Sequence, residues 1–161
     1  MTEQQGETVY SARATAYGDG RDGHVTSDDD VLDLDLAVPK EMGGPGGELT
    51  NPEQMFAAGY AACFHGALKR AGSQAKADLT GSTVTAAVSM NRQGAGLGLS
   101  VGLEIAAPAL SREQAEELVA LAHQRCPYSK ARQHSGDAEG RNTTCRITQQ
   151  YGVPHSQICP S

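Results

Sequence analysis

The chain has 161 residues, 39% of them hydrophobic and 20% charged, with a net charge of −6. That length suits one domain with a real core, and the acidic balance argues against a nucleic-acid partner, which asks for a basic surface. With two Phe, five Tyr and no Trp, the core must rely on Leu, Val and Ala. The first seven residues are polar and acidic, without the basic start and apolar run of a signal peptide. The longest apolar run, Met55 to Phe64, is too short to cross a bilayer. The expectation is a cytoplasmic protein away from membranes. It has a loose tail over 1–7, one domain over 8–153 and a C-terminal tail over 154–161.

Thr8 to Tyr17 alternates as a strand does. Gly18-Asp19-Gly20-Arg21-Asp22-Gly23 is a strong turn signal, and His24 to Ser27 reads as a strand that pairs back. Ser27-Asp28-Asp29-Asp30 is an exposed acidic turn that lacks the interleaving of a calcium loop. Leu32, Leu34, Leu36 and Val38 alternate with Asp33, Asp35 and Ala37, a half-buried strand. The glycine-rich stretch Met42 to Gly47 has no Lys-Ser/Thr pair after it, so it reads as a mobile access loop rather than a phosphate cradle.

The next stretch, Thr50 to Phe64, organises the chain. Asn51 is a good N-cap, Pro52 suits the first helical position, and Glu53 sits where a helix favours negative charge. The run that follows is small and apolar all round, which predicts a central helix packed on every side and ending near Gly72. Strands follow over Ser82 to Met90 and Leu97 to Ile105, joined by a glycine-bearing turn. Ser111 to Gln114 is a capping box opening an amphipathic second helix, which Pro127 stops just after Cys126. Lys130 to Arg141 reads as polar and irregular, and Thr143 to Tyr151 as a last strand. The order of elements predicts an α+β fold with antiparallel sheets packed on two helices.

Without a secretion signal, the four cysteines (Cys63, Cys126, Cys145 and Cys159) read as reduced. Taken alone, Cys63 in an Ala-rich helix is more often a packed hydrophobe than a nucleophile. His65 is two positions away, on another helix face, and no CxxC or HxxxH pair supports a metal site. Cys145 and Cys159 show no ligand spacing. A loop arginine such as Arg21 is, on its own, more often solvated.

Met42-Gly43-Gly44, the stretch Asn51 to Phe64, and Cys126-Pro127-Tyr128-Ser129 together resemble the Ohr branch of the OsmC/Ohr family, the organic hydroperoxide resistance proteins. The Arg21 loop is similar to that family's arginine loop. The resemblance runs from the first strand through Ser129; after it the polar segment is longer, and Cys145 and Cys159 are extra. It implies a thiol peroxidase in which Cys63 is the peroxidatic cysteine, Cys126 the resolving cysteine, Arg21 the catalytic arginine and Glu53 the acid that orients it. It also implies an OsmC-like fold, an intertwined homodimer with sheets wrapped around two central helices and active sites at the dimer interface. There would be no bound cofactor or metal. The electron donor would be a dihydrolipoyl dithiol carried on a lipoylated protein.

The chemistry of the residues suits those roles. A buried thiolate needs a positive neighbour, and Arg cannot lose its proton. Phe56, Tyr60 and Phe64 would give an apolar lining that favours organic peroxides. Glu53 and Cys63 are ten residues apart, about 15 Å along a straight helix and on different faces. Both would not easily reach one Arg21 within a chain, so each site is expected to combine Glu53 of one subunit with Cys63 of the other. The rival readings are a related peroxidase with another reductant, and a non-enzymatic thiol-based redox sensor or small-molecule binding protein on the same fold.

Overall fold

The computed structural model describes residues 6–134 and 143–148. The expected continuation of the last strand to Tyr151, the tail over 154–161 with Cys159, and the start of the N-terminal tail lie outside the described residues. The chain divides into two compact units, one ending at Pro52 and the other beginning at Glu53.

The N-terminal unit is a three-stranded antiparallel sheet, β1 (Ala14–Tyr17), β2 (His24–Ser27) and β3 (Asp33–Asp35), in that order. The first strand is shorter than its alternation suggests; Val9 and Tyr10 precede it and are 97% and 82% exposed. A 3-10 turn over Gly20–Asp22 joins β1 to β2. Gly20 has φ 67°, and a Cβ on Gly23 would meet the Tyr17 carbonyl oxygen at 2.0 Å, so this tight loop depends on glycine at both places. The loop is tied down further by the Val38 N–H, which donates to Asp22 Oδ1 at 2.7 Å, and by the Leu36 N–H, which donates to the Gly23 carbonyl at 2.9 Å. The acidic turn is internally bonded: Asp29 Oδ1 accepts from Ser27 Oγ at 2.5 Å and from the Val31 N–H at 3.2 Å. That is the Asx-type turn such residues favour.

The C-terminal unit holds α1 (Pro52–Ala75), the hairpin β4 (Thr83–Gln93) and β5 (Gly96–Ala106), then α2 (Arg112–Arg125), α3 (Pro127–His134) and β6 (Thr143–Thr148). Helix α1 buries Tyr60, Phe64, Leu68, Ala71 and Gly72, the three- and four-residue spacing of one helical face. It runs three residues beyond Gly72. That glycine is not the stop but a contact point, where a Cβ would meet Leu79 Cδ1 at 2.4 Å. The hairpin turns through Gly94 and Ala95, with Gln93 opposite Gly96 and Gly94 at φ 56°. Two-residue connections of this kind match the twist of the strands. Val101, Leu103 and Ile105 of β5 point inward, and with Ala115, Leu118, Val119 and Ala122 of α2 they complete the core around α1.

The capping box is present as read: the Gln114 N–H donates to Ser111 Oγ at 3.2 Å, and the Ser111 N–H to Gln114 Oε1 at 3.1 Å. Two further features differ from the sequence reading. Pro127 ends α2 and also opens α3, so the segment from Lys130 is helical as far as His134 rather than irregular. Strand β6 pairs with β5 in parallel, so the β4-β5-β6 sheet is mixed. The cause is the connection: two helices lie between β5 and β6, and such a crossover returns the chain in the same direction. Among the described residues no helix is long and apolar enough to cross a membrane.

Candidate active site

Cys63 lies on α1 between the buried Tyr60 and Phe64 and is itself half-buried against the core. Cys126 is fully buried at the joint between α2 and α3. Its N–H donates to the Ala122 carbonyl at 2.8 Å, closing α2, and its own carbonyl accepts from the Lys130 N–H at 3.1 Å, opening α3. Its extended backbone, φ −66° and ψ 119°, is what a following proline demands. The two sulfurs are 3.6 Å apart and both thiols are free. A disulfide needs about 2.05 Å between sulfurs, so closure asks for roughly 1.5 Å of approach.

The protonation of Cys63 is set by opposing effects. Burial, the largest, pushes the thiol up from its ordinary value; the Tyr128 backbone N–H at the start of α3 pulls it down; the neighbouring Cys126 raises it. A buried thiol in such surroundings stays protonated unless a cation joins it.

Aromatic rings flank the pair. Tyr60 stacks on Tyr128 with ring centres 5.8 Å apart, while Phe56 meets both edge-on at 6.1 Å. Phe64 meets Tyr60 at 6.5 Å and His123 at 4.7 Å. Tyr60 and Phe64 are core side chains, 1% and 0% exposed, whereas Phe56 is half-buried and Tyr128 is 39% exposed. Gly59 leaves room for this packing: a Cβ there would meet the Tyr128 hydroxyl at 2.8 Å. Beneath the rings, Tyr60 Oη and Ser129 Oγ are hydrogen-bonded at 2.9 Å, and Ser129 Oγ and His123 Nδ1 at 3.3 Å.

Glu53 occupies the first turn of α1 and is half-buried. Arg21, also half-buried, sits in the glycine-bounded 3-10 turn of the N-terminal unit. His65 is turned to other work: its Nε2 is hydrogen-bonded to the buried Ser82 hydroxyl at 3.0 Å, and burial and the Lys69 charge lower its pKa. Among the described residues no three His, Cys, Asp or Glu side chains are grouped to hold a metal ion. Cys145 lies in β6. The sequence reading assigned no role to His123, Tyr128 or Ser129. Tyr128 and Ser129 belong to the Cys126-Pro127-Tyr128-Ser129 motif; His123 carried no signal, because its partners come from α1 and α3.

The fold is thus an α+β unit that sets a helix-borne cysteine against a second cysteine at a helix joint. Residues 44–137 match the family described as OsmC-like protein. An organic hydroperoxide resistance protein of Xanthomonas axonopodis pv. citri (strain 306) is 47% identical over 126 residues, covering 78% of this chain and 88% of the relative. The organic hydroperoxide resistance protein OhrB of Bacillus subtilis (strain 168) is 43% identical over 135 residues, covering 81% and 96%. A crystal structure of an organic hydroperoxide resistance protein from Elizabethkingia anophelis superposes with a TM-score of 0.78 at 39% identity, covering 89% of this chain and 99% of that one. The chain belongs to the OsmC/Ohr family, in the branch of the organic hydroperoxide resistance proteins.

Proposed function

We propose that the chain is a thiol-dependent peroxidase that reduces organic hydroperoxides, lipid hydroperoxides among them, to alcohols. The observation that carries this reading is the 3.6 Å approach of Cys63 and Cys126, which are 63 residues apart in sequence. The names of the relatives at 43% and 47% identity point the same way.

In this reading the Cys63 thiolate attacks the distal peroxide oxygen. The O–O bond breaks, the alkoxide leaves and takes up a proton, and Cys63 becomes a sulfenic acid. The Cys126 thiolate then attacks the Cys63 sulfur. The S–S bond forms, the S–O bond breaks, and the departing hydroxide is protonated to water. An external dithiol, the dihydrolipoyl group of a lipoylated protein in our reading, reduces the bridge by exchange and is itself oxidised to a disulfide. Two electrons thus pass from dithiol to peroxide through the cysteine pair, with no bound cofactor.

Arg21 supplies the positive charge that a half-buried Cys63 requires, and Glu53 orients it in a charge-assisted contact. The apolar tail of the peroxide meets Phe56 and Tyr128, with Tyr60 and Phe64 as the packed layer behind them. The protein works in the cytoplasm as a homodimer. Exposed small residues Ala58, Ala62 and Gly66, four apart along α1, support that assembly, since they leave a face of the helix open to close approach.

One equivalent of cumene hydroperoxide added to the reduced protein is expected to give a Cys63–Cys126 disulfide, read by peptide mass spectrometry. Cys63→Ser is expected to abolish turnover with dihydrolipoamide, and Cys126→Ser to stall the cycle with Cys63 oxidised. Undiminished turnover by Cys63→Ser would sink the proposal. Reversible oxidation without turnover would instead favour the redox-sensor reading.

A further inference from the structure

The two sulfurs are bracketed by three side chains whose hydrogen bonds to one another the chemistry above does not use. Tyr60 lies three residues before Cys63 on α1. His123 lies three residues before Cys126 on α2, and Ser129 three residues after it on α3. Ser129 is buried, and its hydroxyl joins Tyr60 Oη at 2.9 Å to His123 Nδ1 at 3.3 Å. Tyr60 and Cys63 lie on the same side of α1, and His123 and Ser129 lie within one turn of the Cys126 joint on either side of it. The chain of bonds links the three helices that position the two cysteines.

We infer that the Tyr60–Ser129–His123 hydrogen-bond chain is a positioning device for the resolving step, holding the α2–α3 joint against α1 so that Cys126 meets oxidised Cys63 at bonding distance. This rests on the peroxidase reading. The closing motion, from 3.6 Å to about 2.05 Å between sulfurs, is small enough for side-chain rotation only while the helix backbones stay in place. The Cys126 backbone is fixed within α2 and α3 through the Ala122 carbonyl and the Lys130 N–H, so its position follows theirs. Near the far end of α1, Arg125 of α2 is hydrogen-bonded to Gln74. Ser129 joins α3 to α1 and α2 directly, as a buried hydroxyl with a partner on each side.

Attack on peroxide needs only Cys63 and its charge environment, whereas condensation needs both sulfurs in register. Loosening the bracket therefore slows the second step selectively. Misplacement by about 1 Å costs intramolecular reactions up to roughly a hundredfold. In the full-length Ser129→Ala protein, consumption of the first equivalent of cumene hydroperoxide is expected at the wild-type rate. Disulfide formation, followed by acid quench and mass spectrometry, is expected to slow about tenfold or more. The Cys63 sulfenic acid should accumulate and be trapped by dimedone. His123→Leu removes the α2 end of the same chain and should give the same split between steps, and it serves as the variant if Ser129→Ala does not fold. His123→Asn, which keeps a hydrogen-bonding group near the place of Nδ1, should recover the faster second step.

Disulfide formation at the wild-type rate in folded Ser129→Ala, or equal slowing of both steps, would overturn the positioning role and leave the peroxidase reading standing. If the wild-type protein forms no Cys63–Cys126 disulfide, both fall.

Discussion

His24 on β2 is held between two carboxylates of β3. Its Nδ1 lies 2.7 Å from Asp35 Oδ1 and its Nε2 2.8 Å from Asp33 Oδ1. The hydrogen bond to Asp35 is the main cause that raises its pKa from the ordinary 6.5, with Asp33 adding to it. A folded-state pKa above the unfolded one gives a contribution that is complete below 6.5 and is lost as pH rises through the folded value. His24→Gln should therefore narrow its stability gap to the wild type as pH rises from 5 to about 9. Urea midpoints across that range check this, and a gap that widens with pH would contradict it. In sequence, Asp33 and Asp35 were legible only as the outward positions of an alternating strand. Their pairing with His24 depends on the β2–β3 register, which no local pattern specifies. The same holds for His123 and Ser129, whose partners lie on other helices. The sequence around Cys63, by contrast, is one continuous stretch of helix, so its place on α1 was legible, although its neighbours Cys126 and Tyr128 come from other elements.

At the scale of elements, α1 shows what local signals can and cannot set. Its start was readable from Asn51, Pro52 and Glu53. Its end was not, because Gly72 looks like a stop until Leu79 is found packed on it. Helix α3 was missed for a related reason: Pro127–His134 is short and polar apart from Tyr128 and Ala131, and little in its own sequence favours a helix. The bonds that define it, from Lys130 to Cys126 and from Ser129 to Tyr60, join it to α2 and α1. The expectation that α1 is packed on every side also needs dividing by face. Leu68 is buried, and Leu68→Ala should cost about 2–5 kcal/mol, measured by urea unfolding at constant protein concentration. A cost under about 0.5 kcal/mol, the range of ordinary surface changes, would show that this face is not the core. The opposite face, with Ala58, Ala62 and Gly66, is exposed in the single chain.

At the scale of the whole molecule, that open face and the exposed Leu97 and Leu99 at the tip of the hairpin bear on assembly. If each active site combines Glu53 of one subunit with Cys63 of the other, two inactive variants can complement one another. A heterodimer of Glu53→Gln and Cys63→Ser chains would contain one site with both residues native and one with neither. Isolated by differential tags, it should regain about half the wild-type turnover, set by one intact site in two. No recovery in a confirmed heterodimer would place both residues of a site on the same chain. The sequence motif carried the family and the cysteines, yet only the folded unit could show how the 63-residue separation between them is spanned. That separation has an energetic side. A bridge across a loop of this length removes loop-closure freedom from the unfolded chain equivalent to about 4 kcal/mol. By linkage, such a bridge would form more favourably in the native fold than in the unfolded chain by the same amount. In the proposed cycle the protein would alternate between a slack and a fastened state, and a reductant would work against the whole fold as well as against a single bond.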